Sequence, residues 1–227
     1  MTNDAVVDIQ SISKIYRAGK KEFKALNNVS LKIYKGDFLA FMGPSGSGKS
    51  TLMNLIGCLD RPSYGEIYIH GQSLSRLNDN QLAEIRSKEI GFVFQDFNLI
   101  PKMTALRNVI LPMTLAGIPR LSREQNAMSL LKKVGLDNWA KHLPTELSGG
   151  EKQRVAIARA IANNPLIILA DEPTGNLDTK TGEQILKFLS SLNKEGKTIL
   201  LVTHDPSLIK YTNRVINIKD GEVSENR

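Results

Sequence analysis

Residues 43–51 read Gly-Pro-Ser-Gly-Ser-Gly-Lys-Ser-Thr and carry the strongest structural signal in the chain. Four residues separate the outer glycines and Lys-Ser follows, which is the pattern of a phosphate-binding loop between a strand and a helix. Glycines let successive backbone N–H groups converge on an anion, and the positive end of the next helix adds to the attraction. The residues expected to bind the phosphates of a nucleotide are Gly43, Pro44, Ser45, Gly46, Ser47, Gly48, Lys49, Ser50 and Thr51.

Within this loop, two side chains have specific expected roles. Lys49 is expected to bridge the β- and γ-phosphates, and the Ser50 hydroxyl is expected to ligate Mg²⁺. The alternative, a flexible glycine turn, does not require a strand before the loop and a helix after it.

The sequence around the loop alternates between apolar strands and helices, which favours a parallel α/β sheet. The run at residues 37–42 is almost continuously apolar, as in a strand covered on both faces, and a helix is expected from the loop through Leu59. Further strands are predicted at residues 90–94, 166–170, 198–203 and 214–218, and further helices at 149–162, 179–193 and after Pro206.

Two other regions depart from that alternation. The first 33 residues mix apolar and polar positions around a Lys-rich turn from Arg17 to Lys24, which predicts an antiparallel β-layer joined by a hairpin. Residues 104–135 are largely helical in pattern, with a capping box at Ser122 and a stop at Gly135. We therefore predict one domain over residues 1–227. Its core and β-subdomain comprise 1–96 and 156–227, and an inserted α-helical subdomain comprises about 97–155.

Composition narrows the class of protein. The chain has 227 residues, of which 41% are hydrophobic and 23% charged, so a disordered chain is excluded. No apolar run approaches the ~20 residues that span a bilayer, and the N-terminus lacks a signal-peptide pattern. Cys58 is the single cysteine, so no internal disulfide forms, which suits a reducing compartment. A cytosolic protein is expected.

The net charge of +7 is the unusual feature of the composition. It fits nucleic acid, an anionic membrane face or a phosphate-rich ligand, and composition does not choose among them.

A second motif is the apolar run Leu166-Ile-Ile-Leu-Ala170, which ends in Asp171 and Glu172. Two carboxylates at the end of a buried strand are costly unless a cation or a reacting group uses them. Asp171 is expected to hold Mg²⁺, and Glu172 to polarise the attacking water. Ordinary helix capping is the alternative, and the phosphate-binding loop in the same chain disfavours it.

A third motif is Leu147-Ser-Gly-Gly-Glu-Lys-Gln-Arg154. Its Ser-Gly-Gly lies at a predicted helix start and makes a second anion-binding terminus. One nucleotide does not need two such termini from the same chain.

Together these segments resemble the ATP-binding cassette (ABC) ATPases, over essentially the whole chain and in the family's order. The resemblance implies a phosphate-loop NTPase (RecA-like) core, and a head-to-tail homodimer in which each chain covers the nucleotide on the other. The third motif is similar to the family signature. Gln95 resembles the Q-loop glutamine that contacts Mg²⁺, His204 the switch histidine, and Tyr16 the aromatic that stacks on adenine. The residues that would contact ATP in trans are Ser148, Gly149, Gly150, Glu151 and, in the D-loop, Asp178.

Finer resemblance points to the macrolide-export and lipoprotein-release subfamily. The segments that carry it are residues 52–60, 91–101 and 170–178. This resemblance implies an ATP-hydrolysing motor on the cytoplasmic face of the inner (plasma) membrane, working on a permease carried by a separate chain. That permease would recognise the cargo, so this chain does not show what the cargo is.

Two rival functions remain. A nucleic-acid-handling ATPase of the same superfamily would fit the charge, but the 95 residues between Thr51 and Leu147 hold no heptad run, so no nucleic-acid partner is expected. A cassette that binds ATP and regulates without turnover would not need the intact Asp171, Glu172 and His204.

Overall fold

Two β-sheets organise the chain in this computed structural model, which describes residues 5–19 and 21–225. The strands are β1 (Ala5–Ala18), β2 (Lys21–Tyr34), β3 (Phe38–Met42), β4 (Tyr64–Ile69), β5 (Gln72–Ser73), β6 (Ile90–Phe94), β7 (Ile167–Asp171), β8 (Thr198–Val202), β9 (Arg214–Lys219) and β10 (Glu222–Glu225). The α-helices are α1 (Lys49–Ile56), α2 (Asp79–Glu89), α3 (Ala105–Leu115), α4 (Arg120–Lys133), α5 (Gly149–Ala160) and α6 (Thr179–Lys194). Short 3-10 turns lie at Asp137–Trp139, Pro144–Glu146 and Pro206–Tyr211.

The larger sheet has the strand order β10-β9-β3-β8-β7-β6 and is parallel except for β10. Its central strands are apolar along their length because helices cover both faces, with α1 in one core cluster and α6 in the other. Parallel strands end at a common edge, so Asp171 pairs with Val202 beside the end of β3. The phosphate-binding loop leaves the sheet at that edge.

The smaller sheet is antiparallel, with the order β2-β1-β4-β5. Its apolar side chains, including Ile9 and Ile33, belong to the same cluster as α1. The predicted antiparallel layer and its hairpin are therefore confirmed, and the layer packs against the helix that follows the phosphate-binding loop.

The predicted Lys-rich turn from Arg17 to Lys24 is wrong in extent. Strands β1 and β2 continue to Ala18 and Lys21, with Tyr16 opposite Phe23 and Arg17 opposite Glu22. The Arg17 guanidinium lies 2.9 Å from the Glu22 carboxylate, and such cross-strand pairs extend the ladder into a region whose lysines favour a turn.

The helical block consists of α3, α4, α5 and two 3-10 turns, with a core of its own that includes Val109, Leu131 and Val155. The capping box predicted at Ser122 is wrong, because α4 begins at Arg120 after Pro119. Gly135 follows the end of α4 with φ +71°, as predicted for a stop. Helix α5 crosses the proposed boundary at 155–156 and contributes Ile157 to the core cluster that contains α6.

Several elements were not predicted: β4, β5, α2 and β10. The start of helix α2 has a capping box, which the spacing of Asn78 and Gln81 in the sequence could have indicated. The Asn78 side chain accepts from the Gln81 backbone N–H, and the Gln81 side chain accepts from the Asn78 backbone N–H. The Asp220-Gly221 turn between β9 and β10 is a second sequence signal, because Asp-Gly favours a tight hairpin turn. None of the helices within residues 5–19 and 21–225 combines the length and apolar character that spanning a bilayer requires.

Candidate active site

The phosphate-binding loop folds tightly around its own lysine. Lys49 is the first residue of α1 and is buried, and its ammonium donates to the carbonyls of Gly43 and Pro44 at 2.8 Å each. A Cβ at Gly43 would lie 2.0 Å from the Ile218 carbonyl, and one at Gly48 would lie 2.5 Å from the Ala25 carbonyl. Since both glycines also have positive φ, no other residue fits there without moving the backbone.

The same loop holds polar groups that suit a phosphate. The Ser47 hydroxyl oxygen is buried and has no hydrogen-bond partner among the described residues. The helix N-cap, Gly48, has no side chain to satisfy the first N–H groups of α1. An anion would satisfy these donors and balance the Lys49 charge, so the loop fits a phosphate group on its own chemistry.

A cavity of about 290 Å³ brings the loop together with residues from two other strand ends. Glu172 follows β7, Val202 ends β8, and His204 lies two residues beyond β8. The residues that line this cavity are Phe23, Ala25, Ser45, Gly46, Gly48, Lys49, Ser50, Thr51, Glu172, Val202 and His204.

Glu172 has an unusual backbone and a defined partner. Its φ is +43°, a left-handed conformation that costs a residue other than glycine about 1–3 kcal/mol. The backbone N–H donates to the Val202 carbonyl at 2.9 Å, and the His204 Nδ1 lies 2.8 Å from the carboxylate Oε1. Strain of this kind concentrates at functional sites, and here it accompanies a carboxylate in the cavity.

Asp171 has the electrostatics expected of a cation ligand. Burial raises the pKa of its carboxyl, and the neighbouring Glu172 carboxylate raises it further. The Lys49 charge and a hydrogen bond with Ser50 oppose that rise. A Mg²⁺ ion beside Asp171 and Ser50 would relieve the repulsion between the two carboxylates, so these residues fit the ion.

The ion would need further ligands from the nucleotide. The described residues contain no group of three His, Cys, Asp or Glu side chains that could hold a metal. Mg²⁺ commonly binds one or two carboxylates together with substrate phosphates.

Gln95 follows β6, whose last residue, Phe94, pairs with Asp171. Its backbone therefore reaches the same edge of the sheet. Its side-chain nitrogen lies 3.5 Å from the Asn176 Oδ1, and the Asn176 amide donates to the Gln95 carbonyl at 3.2 Å and to Asp96 at 2.9 Å. In this conformation, Gln95 is tied to the segment after Glu172.

The Ser-Gly-Gly motif lies apart from the phosphate-binding loop. Ser148 caps α5, and its N–H and hydroxyl donate to the Glu151 carboxylate at 2.8 and 2.7 Å. Ser148, Gly149 and Gly150 line a separate cavity of about 320 Å³ with Asp178, which caps α6. The two cavities share no lining residue. The structure thus brings Lys49, Glu172 and His204 together but leaves the signature residues elsewhere.

Tyr16 does not line the phosphate-loop cavity. Its hydroxyl donates to Asp60 at 3.0 Å, and the Lys14 ammonium lies 4.9 Å from the centre of its ring. Phe23, directly opposite on β2, does line the cavity and is 60% exposed. Sequence reasoning missed Phe23, because the supposed turn hid its register with Tyr16. Directly opposed residues of an antiparallel pair lie on the same face, so both rings border one surface.

Comparison with known proteins gives consistent matches. A family model described as ABC transporter matches residues 26–175. An uncharacterized ABC transporter ATP-binding protein of Thermotoga maritima is 49% identical over 96% of this chain and 93% of its own length. The macrolide export ATP-binding/permease protein MacB of Syntrophobacter fumaroxidans is 48% identical over 96% of this chain, which spans 31% of that longer protein.

A solved structure matches over nearly the whole chain. It is a dimeric post-hydrolysis state of the ATP-binding cassette MJ0796 bound to ADP and Pi, from Methanocaldococcus jannaschii. The TM-score is 0.89 at 50% identity, with 97% of this chain and 98% of that chain covered.

Proposed function

This chain belongs to the ABC transporter family and is an ATPase of its ATP-binding type, and from that premise we propose that two copies assemble head to tail to drive a membrane permease on a separate chain. One observation carries the proposal. The phosphate-binding loop and the Ser-Gly-Gly helix terminus line two cavities that share no residue. In a single chain in this conformation, the signature residues therefore lie outside the cavity that would hold the nucleotide phosphates.

A two-fold dimer resolves that separation. Each chain supplies Ser148, Gly149, Gly150, Glu151 and Asp178 to the nucleotide on its partner, so both termini are used and the assembly closes. The dimeric structures of the MJ0796 cassette support this arrangement, since that protein is similar to this chain over nearly its full length. The net charge of +7 is consistent with binding two nucleotides per dimer.

The residues around the loop are placed to perform hydrolysis mainly by positioning and charge stabilisation. Lys49 would move its ammonium from the Gly43 and Pro44 carbonyls to the phosphates. Glu172 would orient the attacking water and accept its proton, and His204 would hold the carboxylate at the 2.8 Å contact. A bound Mg²⁺ would neutralise charge on the phosphate oxygens, and its proposed ligands are Ser50, Gln95 and Asp171.

A groove next to Gln95 is the proposed docking site for the permease. It has a volume of about 880 Å³ and lies between α2, β6 and α3. Its apolar lining includes Leu59 and Leu115, which are 50% and 77% exposed, and Phe94, which precedes Gln95. A cytoplasmic helix of the permease would cover these side chains and sense movement of the Gln95 segment.

The relatives favour a particular kind of system. The matching MacB is named as a macrolide export protein that joins an ATP-binding part to a permease. We propose that this chain serves a permease of the macrolide or peptide export, lipoprotein-release or mechanotransmission type. It would act as a peripheral subunit on the cytoplasmic face of the inner (plasma) membrane.

The arrangement of the dimer can be tested by cross-linking two variants that each gain one cysteine, Ser45→Cys on the phosphate-binding loop and Lys152→Cys on α5. Each also carries Glu172→Gln to slow turnover, and the two chains carry tags of different mass. Burial raises the pKa of the native Cys58 thiol to about 11, so that cysteine stays unreactive.

With ATP and a flexible bismaleimide, we expect a mixed covalent dimer of the two tagged chains. Either variant alone should give little cross-linked product. Self-linkage of Ser45→Cys without a mixed product would contradict the head-to-tail arrangement.

A further inference from the structure

Gln153 lies in the middle of α5 with its side chain completely buried, and it belongs to none of the nucleotide-contacting positions described above. Its amide nitrogen donates to the Pro173 carbonyl at 2.6 Å and to the Phe94 carbonyl at 3.4 Å. Pro173 follows Glu172 directly, and Phe94 precedes Gln95 directly. One amide therefore joins the signature helix to the two segments that carry the proposed general base and a proposed Mg²⁺ ligand.

The orientation of this amide follows from its neighbours. Both partners are carbonyl oxygens, which only accept hydrogen bonds, so the nitrogen must face them. The side-chain oxygen then points away and has no partner among the described residues. A buried acceptor without a partner destabilises the folded chain, so packing alone does not explain an amide at this position.

A second set of contacts joins the same helix to the segment that follows Gln95. The Arg159 guanidinium, at the end of α5, donates to the Phe97 carbonyl at 2.9 Å and also to the Asn98 carbonyl. Phe97 and Asn98 both have positive φ, so their backbone is strained. Helix α5 therefore holds the segment before and after Gln95, and through Gln153 it also hydrogen-bonds to the Glu172 segment.

We propose that Gln153 is a positioning residue that couples movement of the signature helix to both catalytic segments. The inference rests on the proposed head-to-tail function, in which Ser148 at the start of α5 meets the partner's nucleotide. A shift of α5 on that contact would move the Pro173 and Phe94 carbonyls together through one side chain. Gln95 and Glu172 would then reach their working positions only when the partner is in place.

The test replaces the donor while keeping side-chain size. Gln153→Met is unbranched and similar in length but leaves both carbonyls without their donor. We expect kcat for ATP hydrolysis to fall about 10-fold, the change expected from losing one buried hydrogen-bond donor. KM and ATP affinity should stay within about 2-fold, since the phosphate-binding loop is untouched.

Hydrogen exchange supplies a readout that does not depend on activity. In Gln153→Met, amides of residues 95–98 and 174–177 should exchange faster together. The matched control is Asn108→Leu, which removes another fully buried amide that bonds only to local backbone at residues 100–104. That control should loosen its own turn but keep kcat per folded molecule within about 2-fold of the wild type.

A second variant tests the same contact if Gln153→Met does not fold. Gln153→Glu keeps the shape of the side chain but presents a carboxylate to the two carbonyls, and it should lose kcat at least as strongly. Wild-type kcat in either folded variant, or unchanged exchange of both segments, would overturn the inference. Failure of Glu172→Gln to dimerise with ATP would instead contradict the proposed function, so the two failures are distinguishable.

Discussion

The Nδ1 atom of His204 lies 2.8 Å from the Oε1 atom of Glu172, although the two residues follow different strands of the parallel sheet. The register of β7 with β8 places Asp171 opposite Val202 and so brings the two strand ends together. His204 is 70% exposed and Glu172 is 24% exposed, so the imidazole lies on the solvent side of the carboxylate. This contact is the core of the proposed catalytic arrangement.

Removal of the imidazole should impair hydrolysis more than binding. We expect His204→Ala to lower kcat about 100-fold, because the Glu172 carboxylate loses the partner that orients it. ATP affinity should change little, since the phosphate-binding loop is intact. His70→Ala is the matched control, as His70 pairs with Glu89 away from the cavity. Steady-state ATPase assays measure kcat for both variants, and equal losses of kcat would contradict the proposed role of His204.

Lys49→Ala should weaken nucleotide binding. Loss of a charge-assisted contact to phosphate is expected to raise the Kd for ATP about 10- to 100-fold. Titration with a fluorescent ATP analogue measures this Kd. Lys187→Ala, on the exposed face of α6, removes the same charge elsewhere and should bind normally. Unchanged affinity of Lys49→Ala would argue against the phosphate-binding loop.

The two opposed aromatics of the hairpin should bind the base rather than the phosphates. Phe23→Ala and Tyr16→Ala are each expected to raise the Kd for ATP about 10-fold, the scale of one base-stacking contact. Affinity for tripolyphosphate, which has no base, should not change. Tyr64→Ala, an aromatic that is 66% exposed on β4, serves as the control. An effect on tripolyphosphate as large as on ATP would show that the hairpin acts otherwise.

The start of the signature helix should be sensitive to acid. Hydrogen bonds from the Ser148 hydroxyl and backbone lower the pKa of Glu151. A lowered folded-state pKa gives stability that is present above the unfolded pKa of about 4.3 and is lost as pH falls through the folded value. Glu151→Ala should therefore lower the free energy of unfolding by about 0.5 kcal/mol near neutral pH, a small effect because solvent screens this partly exposed carboxylate.

That difference should vanish in acid, where the wild-type carboxylate is protonated. Chemical denaturation of both chains between about pH 3 and pH 7 measures it. Glu124→Ala, which removes an exposed carboxylate paired with Arg120, is the control. A Glu151→Ala deficit that stays constant across this pH range would refute the role of the carboxylate.

Much of the site was predictable because it depends on local spacing. The phosphate-binding loop, the Asp171-Glu172 strand end and the Ser-Gly-Gly helix start each lie in a short segment whose residue types determine the backbone. The common edge of parallel strands then brings separate segments together, which explains why the ends of β7 and β8 place Glu172 and His204 side by side.

What the sequence did not reveal depends on register and long-range contacts. Phe23 was missed because nothing local showed that Tyr16 would face it across the hairpin. Gln153 reads as one more polar residue on a helix, and its proposed role depends on residues far apart in sequence that place two carbonyls beside it. Burial of a single polar side chain is not visible in an amphipathic pattern.

The most direct measurement of the central claim is the mass of Glu172→Gln by size exclusion with light scattering, with and without ATP and Mg²⁺. This variant should bind ATP without hydrolysing it and should accumulate as a dimer of about twice the 25.1 kDa chain mass. Combining it with Lys49→Ala should abolish the dimer. A Glu172→Gln chain that stays monomeric with ATP, or that hydrolyses ATP at the wild-type rate, would contradict the account.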